Sequence, residues 1–300
     1  MNIVAATDFS TRSNRAVRQA GLLARSRDAQ LHLVHVVDED RPADLVRLEA
    51  REALQVLVEQ IASMPELQQV ACSPTVVNGH AFDGILRAAA TVSADIIVMG
   101  SHRKQFLRDI FVGTTIERVI RGGRHPVLMV NNEAQRHYER VLVPLDMSDT
   151  SADAIRVALS AGVMSEDGTT LLHAFLPMAK TRMISSGASP VALREYAERE
   201  HDSAIDELTR FLVANDFGGR RWSLRVDEGG PMEVITRAVY EAQPDLLVMG
   251  TRGRSGLLRA LIGSVTEEAL RSLNVDVLAV PHAASELRPS NPASAPKSSA

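Results

Sequence analysis

The chain carries two copies of one pattern, and this duplication constrains its fold more than any other feature. Val4-Ala5-Ala6-Thr7-Asp8-Phe9-Ser10 recurs as Leu142-Val143-Pro144-Leu145-Asp146-Met147-Ser148, and His35 recurs as His173, each 138 positions on. Farther along the spacing is 150: Asp95-Ile96-Ile97-Val98-Met99-Gly100 returns as Asp245-Leu246-Leu247-Val248-Met249-Gly250. Pro126-Val127-Leu128-Met129-Val130 matches Asp276-Val277-Leu278-Ala279-Val280 at that same spacing. The second copy therefore holds 12 additional residues between His173 and Gly229. The Ser/Gly/Pro-containing stretch Met178–Pro190 reads as the inserted loop.

Within each copy, short Val/Ile/Leu runs without alternation imply strands buried on both faces of a parallel sheet. They fall near 2–7, 31–37, 70–77, 95–100 and 126–130, then 140–145, 169–175, 222–227, 245–250 and 276–280. Amphipathic segments lie between them. Ser10 or Thr11 is placed to cap a helix carrying Ala16, Val17, Ala20, Leu23 and Ala24, and Asp149 or Thr150 stands before Ile155, Ala158 and Leu159. Arg194–Arg210 reads as a helix with a solvated face. The pattern predicts two tandem doubly wound α/β domains, each a five-stranded, mostly parallel sheet flanked by helices. The first spans 1–131 and the second 139–282, with Asn131–Glu139 as a polar linker. The Pro/Ser/Ala-rich segment 283–300 is expected to be disordered.

Composition narrows the function. Net charge is −4 and only 4% of residues are aromatic, so neither a basic surface nor stacking platforms for nucleic acid are expected. The single Cys72 excludes an intrachain disulfide and a multi-cysteine metal site, as suits a reducing cytoplasm. No apolar run approaches the roughly 18 residues of a membrane helix, and the start reads as a strand, not a signal peptide. The expected location is cytoplasmic.

In open parallel sheets, ligands bind beyond the carboxyl ends of the strands where the strand order reverses. The first strand of each copy ends in Asp8 or Asp146, and the fourth in Gly100 or Gly250. If those strands are neighbours, a carboxylate and a glycine loop face one crevice, an arrangement that suits a nucleotide. The Asp region could accept from an adenine amine or contact the sugar. The loop amides, the next helix start, Ser264 and Thr266 could hold phosphates.

These residues resemble the universal stress protein family in its tandem form, over nearly everything from Asn2 to Pro281. The family's Gly-x-x-Gly, nine residues, Gly-Ser/Thr motif is met by Gly250, Gly253, Gly263 and Ser264. The resemblance implies adenine and ribose contacts at Pro144, Asp146, Ala174, Met249 and Gly250. It implies phosphate contacts at Arg252, Gly253, Gly263, Ser264, Val265 and Thr266. ATP is the implied ligand, with Mg2+ accompanying the triphosphate and no metal ligand supplied directly by the protein.

The first copy departs from the motif. Asp8, Val36, Gly100, Gly113 and Thr114 match, but Ala6 replaces the proline and Arg103 the second glycine. A Cβ there holds the backbone back from a phosphate, so this degenerate second site is expected to bind ATP weakly or not at all. The fully apolar fifth strands invite pairing at sheet edges. By resemblance to family dimers, the two copies would pair as an intramolecular pseudo-dimer, with a further homo-oligomer left open.

Plainer readings stand beside these. Strand-end glycines form ordinary turns, and Asp8 and Asp146 could serve only as helix caps. His35 and His173 read as satisfied core or cleft residues, and Cys72 as a buried small residue. The favoured expectation is an ATP-binding stress-response regulator with unidentified protein partners and little or no turnover, since neither a P-loop lysine nor a general base is evident. Ligand binding would order Arg252–Ile262. Two alternatives stay open: a structural or chaperone-like pseudo-dimer without nucleotide, and an adenylate-transferring or flavin-linked enzyme on a similar scaffold.

Overall fold

The computed structural model describes residues 1–101, 114–133, 136–253 and 262–282. Arg103, Gly113, most of Arg252–Ile262 and the segment expected to be disordered lie outside the described residues. The first half runs β1 (Asn2–Ala6), α1 (Thr11–Arg27), β2 (Gln30–Val37), α2 (Ala43–Ser63), β3 (Cys72–Asn78), α3 (Ala81–Thr91), β4 (Ile96–Gly100), α4 (Thr115–Gly122) and β5 (Val127–Val130). The second half repeats this as β6 (Val141–Pro144), α5 (Asp149–Ala161), β7 (Thr169–Phe175), α6 (Lys180–Ser185), α7 (Pro190–Ala214), β8 (Ser223–Glu228), α8 (Pro231–Ala242), β9 (Leu246–Gly250), α9 (Ser264–Ser272) and β10 (Asp276–Val280).

Two local expectations need correction. The insertion in the second half is not all loop, because Lys180–Ser185 forms the short helix α6. Ala179 N donates to the Tyr196 hydroxyl at 3.1 Å, and Lys180 pairs with Glu228, so the inserted turn is held against its neighbours. The cap of α5 is Ser148, not Asp149 or Thr150, which fall inside the first turn. Ser148 has the extended backbone of a cap and its Oγ accepts from Ser151 N at 3.2 Å. Ser10 caps α1 in the same way.

The strands form one sheet of ten in the order β3-β2-β1-β4-β5-β10-β9-β6-β7-β8. Within each half every pairing is parallel, but β5 and β10 run antiparallel. The two five-stranded units are therefore halves of a single sheet. Its faces separate by side-chain alternation. Ile3 and Ala5 join one core with α1, α2, α5 and α7, while Val4 and Ala6 join another with α3, α4, α8 and α9. At the outer edges are β3 and β8. The second carries Arg225 and Asp227, joined at 2.6 Å, the kind of charge that discourages edge pairing.

The seam is locally twofold. Leu128 pairs with Leu278, its own counterpart in the repeat, and Val127 and Met129 pair with Ala279 and Val277. Both leucines are fully buried. Above the seam, Arg121 of α4 joins Glu117 of its own helix and reaches Glu267 of α9 at 3.2 Å.

The linker is more than a polar spacer. Asp276 Oδ1 accepts from Asn131 N at 2.8 Å and Asn132 N at 3.0 Å, while Oδ2 accepts from the Tyr138 hydroxyl at 2.8 Å. Asn131 Nδ2 also donates to Val275 O. Burial, reinforced by the charge of Asp276, raises the Tyr138 pKa well above 10, so the phenol stays a donor. Asp276→Ala would leave the Asn131 and Asn132 amides and the Tyr138 hydroxyl without their acceptor, and we expect it to lower unfolding free energy by about 2–4 kcal/mol in urea titrations. Asp276→Asn, which keeps one acceptor oxygen, should lose less than half as much.

Candidate functional site

The chain reverses direction through the sheet at β6: β7 and β8 lie to one side of it, β9 and β10 to the other. The crevice beyond the carboxyl ends of β6 and β9 is the switch-point position. A cavity of about 380 Å³ opens there. Its lining brings together every second-half residue that the motif singled out: Pro144, Asp146, Ala174, Met249, Gly250, Arg252, Gly253, Gly263, Ser264, Val265 and Thr266.

Asp146 is fixed in place. Its Oδ1 accepts from Ser148 N at 3.1 Å, Ser148 Oγ at 2.6 Å and Ser151 Oγ at 2.7 Å. The carboxylate thus organises the first turn of α5 without being its cap. Its Oδ2 faces Gly253, where an added Cβ would stand 2.7 Å away. Gly253 is therefore required for close approach to Asp146.

Gly250 answers a different need. A Cβ there would meet Thr150 Cγ2 at 2.6 Å, and one at Gly100 would meet the Arg12 carbonyl at 2.6 Å. Both strand-end glycines let the following helix start pack against the strand, whatever else the crevice does. Gly263 has no such obligation, since its nearest neighbour would be Thr251 O at 3.5 Å.

The base of the glycine loop is drawn closed. Gly263 N donates to Thr251 O at 2.7 Å, Thr266 Oγ1 to Gly250 O at 2.8 Å, and Thr251 N to Val280 O at 2.8 Å. Gly263 is then the cap of α9, with extended backbone and no side chain to accept from the helix amides. The amides of Ser264, Val265 and Thr266 occupy the first helical positions, which have no partner inside a helix. A helix start of this kind favours an anion.

The first half is built differently at the same place. Thr114 is the cap of α4, and its Oγ1 accepts from Glu117 N at 3.2 Å. Its helix begins at Thr115, one position later in the repeat than Ser264. A cavity of about 290 Å³ contains Asp8, Val36, Gly100 and Thr114 among its lining, together with Arg12 where the second half has Thr150. Arg103 and Gly113, the remaining residues of the degenerate motif, are outside the described residues. Burial pushes the Asp8 carboxyl up, but hydrogen bonds from Ser10 and Ser13 outweigh it and lower its pKa below the ordinary value.

From sequence, His35 and His173 read as satisfied core or cleft residues. Their Nδ1 atoms bond to Thr7 O at 2.9 Å and Leu145 O at 2.8 Å, and each ring lines its cavity. Because a carbonyl only accepts, Nδ1 is the donor in each contact. Ser151, Pro231 and Ile235 also line the second cavity and were missed. Ser151 had a signal, since it repeats Ser13 at the 138 spacing. Among the described residues, Asp38, Asp40 and His80 place ligand atoms within 4.8 Å of one another, a grouping the linear spacing did not reveal. All three are exposed, and such groupings are common without an ion.

The family model for the universal stress protein family matches residues 1–131 and again 137–281. The chain belongs to the universal stress protein family. It contains two of the family's domains in tandem. A universal stress protein E homolog of Haemophilus influenzae is 24% identical over 77% of this chain and 75% of its own. A protein of Mycolicibacterium smegmatis named as a universal stress protein is 24% identical over 93% of this chain and 96% of its own. Among solved structures, a universal stress protein from Archaeoglobus fulgidus superposes with a TM-score of 0.65 at 18% identity, covering 94% of this chain and 98% of that chain. That likeness speaks for the shared α/β fold. Among the described residues no helix is long and apolar enough to cross a membrane.

Cys72 offers no nucleophile. It is half-buried on β3, and burial pushes its thiol up to about 11. We expect it to react with a maleimide at pH 7.5 at least ~100-fold more slowly than free cysteine, because its thiolate fraction is that much smaller. Mass spectrometry of timed quenches would measure the rate.

Proposed function

We propose that this universal stress protein binds ATP, with Mg2+, chiefly in its second domain, and acts as a cytoplasmic stress-response regulator through protein partners. The observation that carries this reading is the contrast between the two helix starts. In the second half a side-chain-free cap, Gly263, leaves the first amides of α9 facing a cavity that also holds Asp146. In the first half Thr114 satisfies its own helix. The chain's residues accept the ligand's chemistry: α9 amides and Ser264 for phosphate oxygens, and a fixed carboxylate at Asp146 for a sugar hydroxyl or amine. The cation would be held by the phosphates and water, since the acidic grouping at Asp38 and Asp40 belongs to the other half.

Turnover is expected to be slow or nil. No lysine lines either cavity among the described residues, and Asp146 is already committed to Ser148 and Ser151.

Calorimetry should find one ATP per chain. Gly263→Val and Asp146→Ala should each weaken it at least ~10-fold, as expected for the loss of a charge-assisted contact or of backbone access. Gly263→Ala has room for its methyl, so it separates loss of the site from loss of the fold. Equal affinity across wild type and these variants, or two equivalent sites, would defeat the proposal.

A further inference from the structure

A cavity of about 680 Å³ opens where the halves meet, under the amino ends of β1, β4 and β5. Asp95, Arg124 and Pro126 line it from the first half, and Val157, Ser160 and Ala161 of α5 from the second. The local twofold through Leu128 and Leu278 gives this place a twin. Asp95 corresponds to Asp245 and Pro126 to Asp276, and the surroundings match: Asn2 N donates to Asp95 Oδ2 at 2.8 Å as Arg140 N does to Asp245 Oδ2 at 3.0 Å.

The twin is occupied. The chain leaving β5 returns through Asn131 and Asn132, and Tyr138 bonds to Asp276 there. By the same symmetry, β10 ends beside the cavity, since Ala279 pairs with Val127 and the adjacent Pro126 lines it. The chain departs through Pro281 and His282, whose Nδ1 lies 3.9 Å from Asp153 Oδ2 on α5. Arg15, the counterpart of Asp153, makes the corresponding contact with Glu133 of the linker at 2.6 Å. From Asp153, Val157 and Ser160 follow on one face of α5, so the cavity is about 10 Å along the helix. About three extended residues span that distance, so a segment of five has length to spare.

We propose that the segment beyond His282, residues 283–300 of this chain, docks in this cavity and is the second half's equivalent of the linker clamp. Leu287 stands one position before the counterpart of Tyr138 and supplies the apolar filler against Val157 and Ala161. Glu286 and Arg288 flank it with charges complementary to Arg124 and Asp95. Pro126 in place of Asp276 removes the carboxylate clamp, so the contact is apolar and weaker than its twin. Docking of this segment runs against the disorder expected from its composition.

The test uses the full chain. With Cys72→Ala as background, Ala90→Cys and Leu287→Cys should form an intrachain disulfide under mild oxidation, found by mass spectrometry of the linked peptide. Independently, in the native background, ending the chain after His282 should lower the melting temperature by about 3 °C, and Leu287→Ser should reproduce most of that drop. A melting temperature unchanged by truncation would overturn the proposal. So would absence of the cross-link, or a cross-link found only between chains, which would make a second copy the occupant.

Discussion

One antiparallel strand pair decides the shape of this protein. Each half ends in a short strand with apolar side chains on both faces, which cannot remain at an open edge without exposing backbone groups and apolar surface together. Pairing β5 with β10 removes both problems and turns two five-stranded units into one sheet. The charged contact of Arg121 with Glu267 and the clamp of Asp276 on the linker sit on either side of that seam. Both depend on the register that Leu128 and Leu278 establish.

The two crevices show how a shared scaffold can be tuned by few atoms. Gly100 and Gly250 serve the same packing purpose in both halves, so a glycine at the end of the fourth strand says little about ligands. The difference lies at the next helix start. A threonine hydroxyl that caps its own helix competes with any incoming anion for the same amides, while a glycine cap leaves them open. Both copies carry a glycine and then a hydroxyl residue here, so the distinction is where the helix begins: at Thr115 in one and at Ser264 in the other.

Much of this was legible in the residue order. Continuous apolar runs marked the strands, and two constant spacings marked the duplication, because buried parallel strands leave a dense hydrophobic trace. The positions Pro144, Asp146, Ala174 and the Gly250–Thr266 set are gathered in one place because the fold carries strand ends to one crevice. What escaped was set by contacts distant in sequence. Tyr138 and Asp276 are 138 residues apart, and nothing local announces their bond. Ser148 lost to Asp149 and Thr150 as the expected cap because several adjacent residues have capping side chains and only the backbone angle selects one. The difference between Thr114 and Ser264 was hidden for the same reason, since both are hydroxyl residues after a glycine.

The axis pair has an evolutionary corollary. In a symmetric homodimer the residue on the axis faces its own copy, so any change in size is doubled at the contact. Here Leu128 and Leu278 are separate codons. One can be enlarged while the other is trimmed, conserving volume at the seam. A covalently joined pair can therefore explore asymmetric packings at its centre that two identical subunits can never reach.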